Sequence, residues 1–295
     1  CLPGFVDQGG ACTPSIPGSP ANHTREAVCQ AWAEGHVENA PRGGFSVSEA
    51  MCDPGELSRE GLDDALRRLN MFRWLAGVSP TTDSPAAHRI AQACALVSAW
   101  NPAGQQAHQP PPTSLCYTPE GAQGAGSSNI AWGNGTAANA MDQWIVDNGN
   151  ESTYGHRRWL LSGPLSDVGI GAYQGGNNYG SASCITVFSA GGQGEAPPVI
   201  VFPPPGFVPA AMADWAWTLQ GRVPQAGLSV TVREASTGNM LAARVEALVG
   251  NYGGSSGLRL VREGWQTRPD ETYEVEVRGD GVPPIAYTLT PVSCP

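Results

Sequence analysis

The chain has 295 residues, 41% of them hydrophobic and only 14% charged, with a net charge of -10 and no lysine. Such a length and apolar fraction support packed cores in one or two domains, with charge well below the ~25% of an ordinary soluble domain. An acidic chain without a basic run is repelled by nucleic acid and by anionic membrane surfaces, and it holds no run of ~20 apolar residues to span a bilayer.

Residues 1–56 show weak periodicity and hold four of the eight cysteines. Cys1 to Cys12, with a Gly4-Phe5 turn between them, resembles the last loop of an EGF-like module. Residues 13–23 read as a Pro/Ser linker, and Cys29 and Cys52 bracket a short segment that predicts a local bridge. The remaining cysteines are Cys94, Cys116, Cys184 and Cys294; none of the eight forms a C-x-x-C pair or a zinc-ribbon spacing. An even, widely spread set predicts disulfides and an oxidising compartment. Cys1 could instead be the lipidated residue of a lipoprotein, but lipidation would leave an odd number of thiols, and parity favours pairing.

From Leu57 the helical period takes over. Leu62, Leu66 and Leu69 share a face, and Gly77 is a natural stop. Ser84 caps the next helix, Pro85 suits its first turn and Asn101-Pro102 ends it. Ala91, Ala93 and Ala95 on that helix allow a neighbour to approach closely. A proline-rich loop then carries His108 and Cys116. Ser127 to Trp132 reads as a turn into helix, and Thr136 or Gly135 opens a helix with Met141, Trp144 and Ile145. Residues 167–173 and 183–189 read as strands. A Gly/Pro linker at 191–198 precedes a change of period to two, at Trp215/Trp217/Leu219, Leu228/Val230/Val232, Tyr273/Val275/Val277 and Tyr287/Leu289. About seven strands in that region predict a β-sandwich of immunoglobulin or fibronectin type. Its only cysteine is Cys294, so any bridge from it ties the C-terminus to the earlier part of the chain.

Residues 69–173 resemble the CAP superfamily of cysteine-rich secretory, antigen and pathogenesis-related proteins, and more closely its bacterial secreted branch. The resemblance rests on Leu69-Asn70 with Arg73, Ala91 to Ala95, Ala107-His108, Cys116-Tyr117, Ser128 to Ala131, Trp144 to Asp147 and Gly155-His156-Arg157, in that order and spacing. It implies an α+β architecture: an α-β-α sandwich with a central cleft, here followed by the all-β sandwich. The expected division is a disulfide-containing segment 1–56, a CAP-like domain 57–190 and a β-sandwich domain 198–295.

In this family the cleft commonly holds two histidines and two glutamates able to bind a divalent metal. The matching positions are His108, Ser128, Asp147 and His156, with Arg157 beside them. One carboxylate is thus replaced by Ser128 and the other shortened to Asp147. His108, Asp147 and His156 are the candidate ligands for a divalent metal such as zinc, with an open position for water; alternatively the carboxylate orients an imidazole. Ser128 beside a histidine would formally be a nucleophile and base, but no G-x-S-x-G elbow accompanies it. His23, His36 and His88 lack partners nearby in sequence and read as solvated. Arg157 or Arg158 over Trp159 predicts a cation–π staple, with Arg73 in the same cluster.

The residues therefore favour a secreted or cell-surface, non-catalytic CAP-domain protein acting by ligand binding or extracellular assembly. Its partner would be an extracellular ligand or protein, or further copies of itself. The competing readings are a metal-dependent hydrolase using the two cleft histidines and a structural subunit of an extracellular fibre or surface layer.

Overall fold

The computed structural model describes residues 5–7, 12–14, 20–45, 51–101, 106–176, 180–188 and 194–295. Cys1 and residues 8–11 lie outside these, and with them the expected EGF-like loop and the pairing of Cys1. Strands β1 (Phe5–Asp7) and β2 (Cys12–Pro14) pair antiparallel.

Helix α1 (Arg25–Gly35) starts where the Thr24 hydroxyl accepts a hydrogen bond from the Ala27 N–H. It packs against α2 (Arg59–Leu75), capped in the same way by Ser58 and closed at Gly77, whose φ of 69° is the left-handed turn that glycine supplies. Strand β3 (Thr82–Asp83) leads to Ser84 and α3 (Pro85–Trp100), and α4 (Pro119–Ser127) lies against α3. Next come β4 (Ser128–Trp132), α5 (Ala137–Val146), α6 (Gly155–Leu160), β5 (Asp167–Val168), β6 (Ile170–Gln174) and β7 (Ser181–Thr186).

The central sheet runs β4-β7-β6, antiparallel throughout, and a parallel β3–β5 pair lies beside it. One core packs Leu66, Leu69, Phe72, Met141, Trp144 and Ile145 of α2 and α5 against the sheet. A second, built on Ala91, Cys94, Ala95, Ala125, Ile130 and Cys184, holds α3 and α4 on the other face. The arrangement is the α-β-α sandwich expected. The alanines of α3 do admit close neighbours: a Cβ on Gly171 of β6 would lie 2.3 Å from the Ala91 carbonyl carbon and from the Gln92 nitrogen. The edge strand β6 is covered by α3, because Gln92 donates to the Ala172 carbonyl (2.9 Å) and accepts from the Ala172 N–H (3.0 Å).

Three sequence expectations are corrected. Ser128–Trp132 is a strand rather than a turn into helix, fixed by register with β7 from Ser128↔Thr186 to Trp132↔Ala182. It is buried on both faces at residues 128–131, so no alternation marked it. Cys29 pairs with Cys294 and Cys52 with Cys116, not with each other; Cys94 pairs with Cys184. The Cys29–Cys294 bridge does tie the C-terminus back to the first helix, as the lone cysteine of the β region required. Finally, the three supposedly solvated histidines all have partners. His23 stacks on Trp74 at 3.8 Å between ring centroids, the His36 ring donates from Nδ1 to the Trp32 carbonyl, and His88 joins the Ile170 N–H to Asp83.

Beyond 198 the chain forms two facing sheets. Strands β8 (Val199–Phe202), β10 (Trp217–Gly221), β13 (Ala243–Ala247) and β14 (Ser256–Arg262) make one, ordered β13-β14-β10-β8. The other, β12-β11-β15-β16-β9, uses β9 (Gly206–Pro209), β11 (Ser229–Glu234), β12 (Met240–Leu241), β15 (Tyr273–Arg278) and β16 (Ile285–Val292). A single-turn helix, α7 (Ala210–Ala213), follows β9. Trp217, Leu219, Val232, Leu258, Tyr273, Val275 and Leu289 fill the space between the sheets. Alternation found β11 and β15 because one face of their sheet is buried and the other is more exposed, whereas β8 and β10 are buried on both faces where their sheet meets the α-β-α layers.

The β-sandwich is not hung on a free tether. Ile200, Phe202, Met212 and Val292 belong to the same core as α2 and α5. Trp215 lies 6.1 Å from Phe72 and 6.3 Å from Trp32 between ring centroids.

Candidate functional site

The cleft begins at the end of α5. Asp147 caps that helix in the left-handed region (φ 57°), and its N–H closes on the Gln143 carbonyl. The turn that follows brings the chain back as α6, so that Asp147, only 2% exposed, faces the start of that helix. Its Oδ1 lies 2.7 Å from His156 Nδ1 and accepts from Asn150 Nδ2 at 3.1 Å, while its Oδ2 accepts from the Arg157 N–H at 3.3 Å. A carboxylate at Nδ1 fixes the imidazole orientation and makes Nδ1 the protonated nitrogen of the neutral ring, leaving Nε2 with its lone pair. The Asn129 side chain holds the same turn by donating to the His156 carbonyl at 3.0 Å.

His108 arrives from the proline-rich loop and is held at its own Nδ1, which donates to the Ala125 carbonyl at 2.8 Å. Ser128 sits at the start of β4, 5% exposed, and its hydroxyl has no hydrogen-bond partner among the described residues. His108, Ser128 and His156 border one cavity of about 760 Å³. Asp147 lies behind His156 as its support, and Arg157 is turned away into the core.

The far wall of this cavity comes from the β-sandwich. Val249, Gly250, Asn251 and Tyr252, in the loop before β14, line it together with Trp159 and Phe188 of the CAP-like part. Nothing in the local sequence around His156 announces these residues. The loop is fixed by the residues after His156. Arg158 is fully buried and donates to the carbonyls of Thr153 (3.1 Å), Val249 (2.7 Å) and Ser255. Gln220 in turn donates to the Arg158 carbonyl at 3.2 Å, and the Ser162 hydroxyl to that of Gly253 at 3.2 Å. Gly155 is required by the same contact, since a Cβ there would lie 2.6 Å from the Tyr252 ring.

Arg157 makes the parallel connection inside. It donates to the Ile145 and Val146 carbonyls at the end of α5 and, across the module boundary, to the Ala216 carbonyl and Thr218 hydroxyl. Burial lowers its pKa to about 10, so it remains a cation at neutral pH. Its guanidinium stacks on Phe202 at 4.3 Å and Tyr154 at 4.9 Å, and that of Arg158 on Tyr252 at 5.7 Å. The expected stacking on Trp159 is therefore replaced; Trp159 instead meets Phe188 edge-on at 4.6 Å. Arg73 does join the cluster, donating to the Leu160, Ser162 and Leu165 carbonyls.

The expected metal set does not fit a three-ligand centre. Both Asp147 oxygens are already engaged, and among the described residues no three His, Cys, Asp or Glu side chains gather closely enough to hold an ion. Two imidazoles remain, each with Nδ1 committed.

Comparison with curated proteins and with solved structures returns no match. The family model described as Cysteine-rich secretory protein family, CAP, matches residues 66–189, and over that stretch the chain is similar to the CAP domains of that family.

Proposed function

We propose that this is a secreted, extracellular CAP-domain protein of the bacterial kind, which binds a ligand in the cleft between its two modules and does not transform it. We divide it as the sequence indicated: a disulfide-bearing segment 1–56, a CAP domain 57–190 and an immunoglobulin-like β-sandwich 198–295, with α1 of the first segment packed onto the second. The disulfides joining Cys29, Cys52 and Cys94 to distant partners support an oxidising compartment. No described helix is long and apolar enough to cross a membrane.

The observation that carries the non-catalytic reading is the Ser128 hydroxyl, which bonds to neither imidazole. An activated serine needs an oriented base in hydrogen-bond reach and donors for an oxyanion. His156 is oriented, but towards Asp147 at one nitrogen and the open cleft at the other. The cavity, its aromatic walls and its rigidly held histidine support binding.

The test uses the purified full chain with its disulfides intact, assayed on casein, p-nitrophenyl acetate and a soluble glycan, beside the His156→Ala variant. The expected result is no turnover above that of the variant. Hydrolysis that disappears in His156→Ala contradicts the proposal and restores the hydrolase reading.

A further inference from the structure

Among the described residues, no aspartate, glutamate or arginine lines the cavity at His156, although the chain as a whole carries a net charge of -10. Its walls combine two kinds of group. Aromatic rings come from Trp159, Phe188 and Tyr252, with Phe188 57% exposed at the mouth. Neutral hydrogen-bonding groups come from Ser128, Asn150 and Asn251, beside the two histidines. The Ser128 hydroxyl is the sharpest of these: the side chain is 95% buried by its 5% exposure, yet its oxygen lacks any partner among the described residues. A buried hydroxyl left unpaired is destabilising, so its retention beside a cavity points to a ligand that completes it.

Three classes of ligand meet this lining differently. A charged ligand would lose its hydration against walls that offer no fixed opposite charge. A wholly apolar ligand would cover Ser128 and the asparagines and leave them unpaired. An uncharged, polyhydroxylated ring system satisfies both halves. Its C–H faces lie on the aromatic side chains and its hydroxyls exchange hydrogen bonds with Ser128, the amides and the free imidazole nitrogens. We propose that the cleft binds a neutral oligosaccharide, with the CAP domain supplying Ser128, Trp159 and Phe188 and the β-sandwich supplying the opposing jaw at Asn251 and Tyr252. This inference rests on the cleft-binding function proposed above and adds the ligand class and the role of the second module.

The experiment is isothermal titration calorimetry of the full-length, disulfide-bonded protein with cellohexaose, chitohexaose and maltohexaose. Oleate, a sulfated hexasaccharide and tetra-alanine serve as competitors of other classes. At least one neutral hexasaccharide is expected to bind. Ser128→Ala is expected to weaken that binding roughly fivefold or more while leaving the melting temperature of the ligand-free protein unchanged or raised, because it deletes an unpaired buried hydroxyl. Phe188→Ala, a change at an exposed position, is expected to weaken it roughly three- to tenfold. Binding indifferent to both variants places the sugar elsewhere and overturns the proposal. Failure of all three neutral sugars also overturns it. In that case, binding of oleate, the sulfated sugar or the peptide that Ser128→Ala weakens would leave the cleft-binding function standing, whereas silence across the whole panel counts against both.

Discussion

Replacing Arg157 by alanine is expected to destabilise the protein by about 3–5 kcal/mol, the range for breaking a buried charged network and leaving its partners unpaired. Arg157 is 0% exposed and its guanidinium satisfies acceptors on both modules: Ile145 O at 2.6 Å, Val146 O at 3.0 Å, Ala216 O at 2.7 Å and Thr218 Oγ1 at 3.1 Å. The first two are terminal carbonyls of α5, where a cation also meets the negative end of the helix dipole. Truncation removes every one of these bonds and opens a cavity beside Phe202 and Tyr154. Lysine cannot substitute, since a single ammonium lacks the planar fork that reaches both modules. Arg278→Ala supplies the contrast: its side chain is 60% exposed and, among the described residues, bonded only to Glu276, so a change within about 0.5 kcal/mol is expected. Urea midpoints of the two variants measure the difference; equal midpoints would remove Arg157 from its role as the link between modules.

The second large effect concerns the Cys29–Cys294 bridge. It joins the first helix to the end of the chain across 265 residues, against 64 for Cys52–Cys116 and 90 for Cys94–Cys184. A cross-link over so long a loop restricts the unfolded chain most, and replacing both cysteines by serine is expected to cost about 2–4 kcal/mol. The loss has a structural locus as well, because α1 contacts β9 and Arg25 bonds to Asp270 beside the same bridge. Thermal melts of Cys29→Ser/Cys294→Ser should therefore shift down, while a melt unchanged from the parent would show that packing alone holds α1 to the β-sandwich.

Much of this architecture was legible because local chemistry and tertiary packing agree. Ser84 and Thr136 cap the helices they were expected to open, and period-two alternation located the strands around Trp217, Val232 and Val275. The order of motifs placed His108, Ser128 and His156 around one cleft. What failed was non-local. Ser128–Trp132 carries no strand signature because β7, more than fifty residues later in roughly extended reach, decides its conformation, and both its faces are buried. Cys29 could not declare its partner, since loop closure costs little more for a distant cysteine than a near one. The wall at Val249 to Tyr252 belongs to a different module, and the buried Arg158, which reads in sequence as a staple over Trp159, helps bring it to His156.

The segment Gly155 to Leu161 thus does two things at once. His156 faces the cleft, while Gly155, Arg157 and Arg158 seat the β-sandwich against the α-β-α sandwich so that the two share one core and one cavity. Differential scanning calorimetry of the intact, oxidised protein tests that claim most directly. A single transition whose calorimetric and van't Hoff enthalpies agree is the expected result. Two resolved transitions, one for each module, would contradict it.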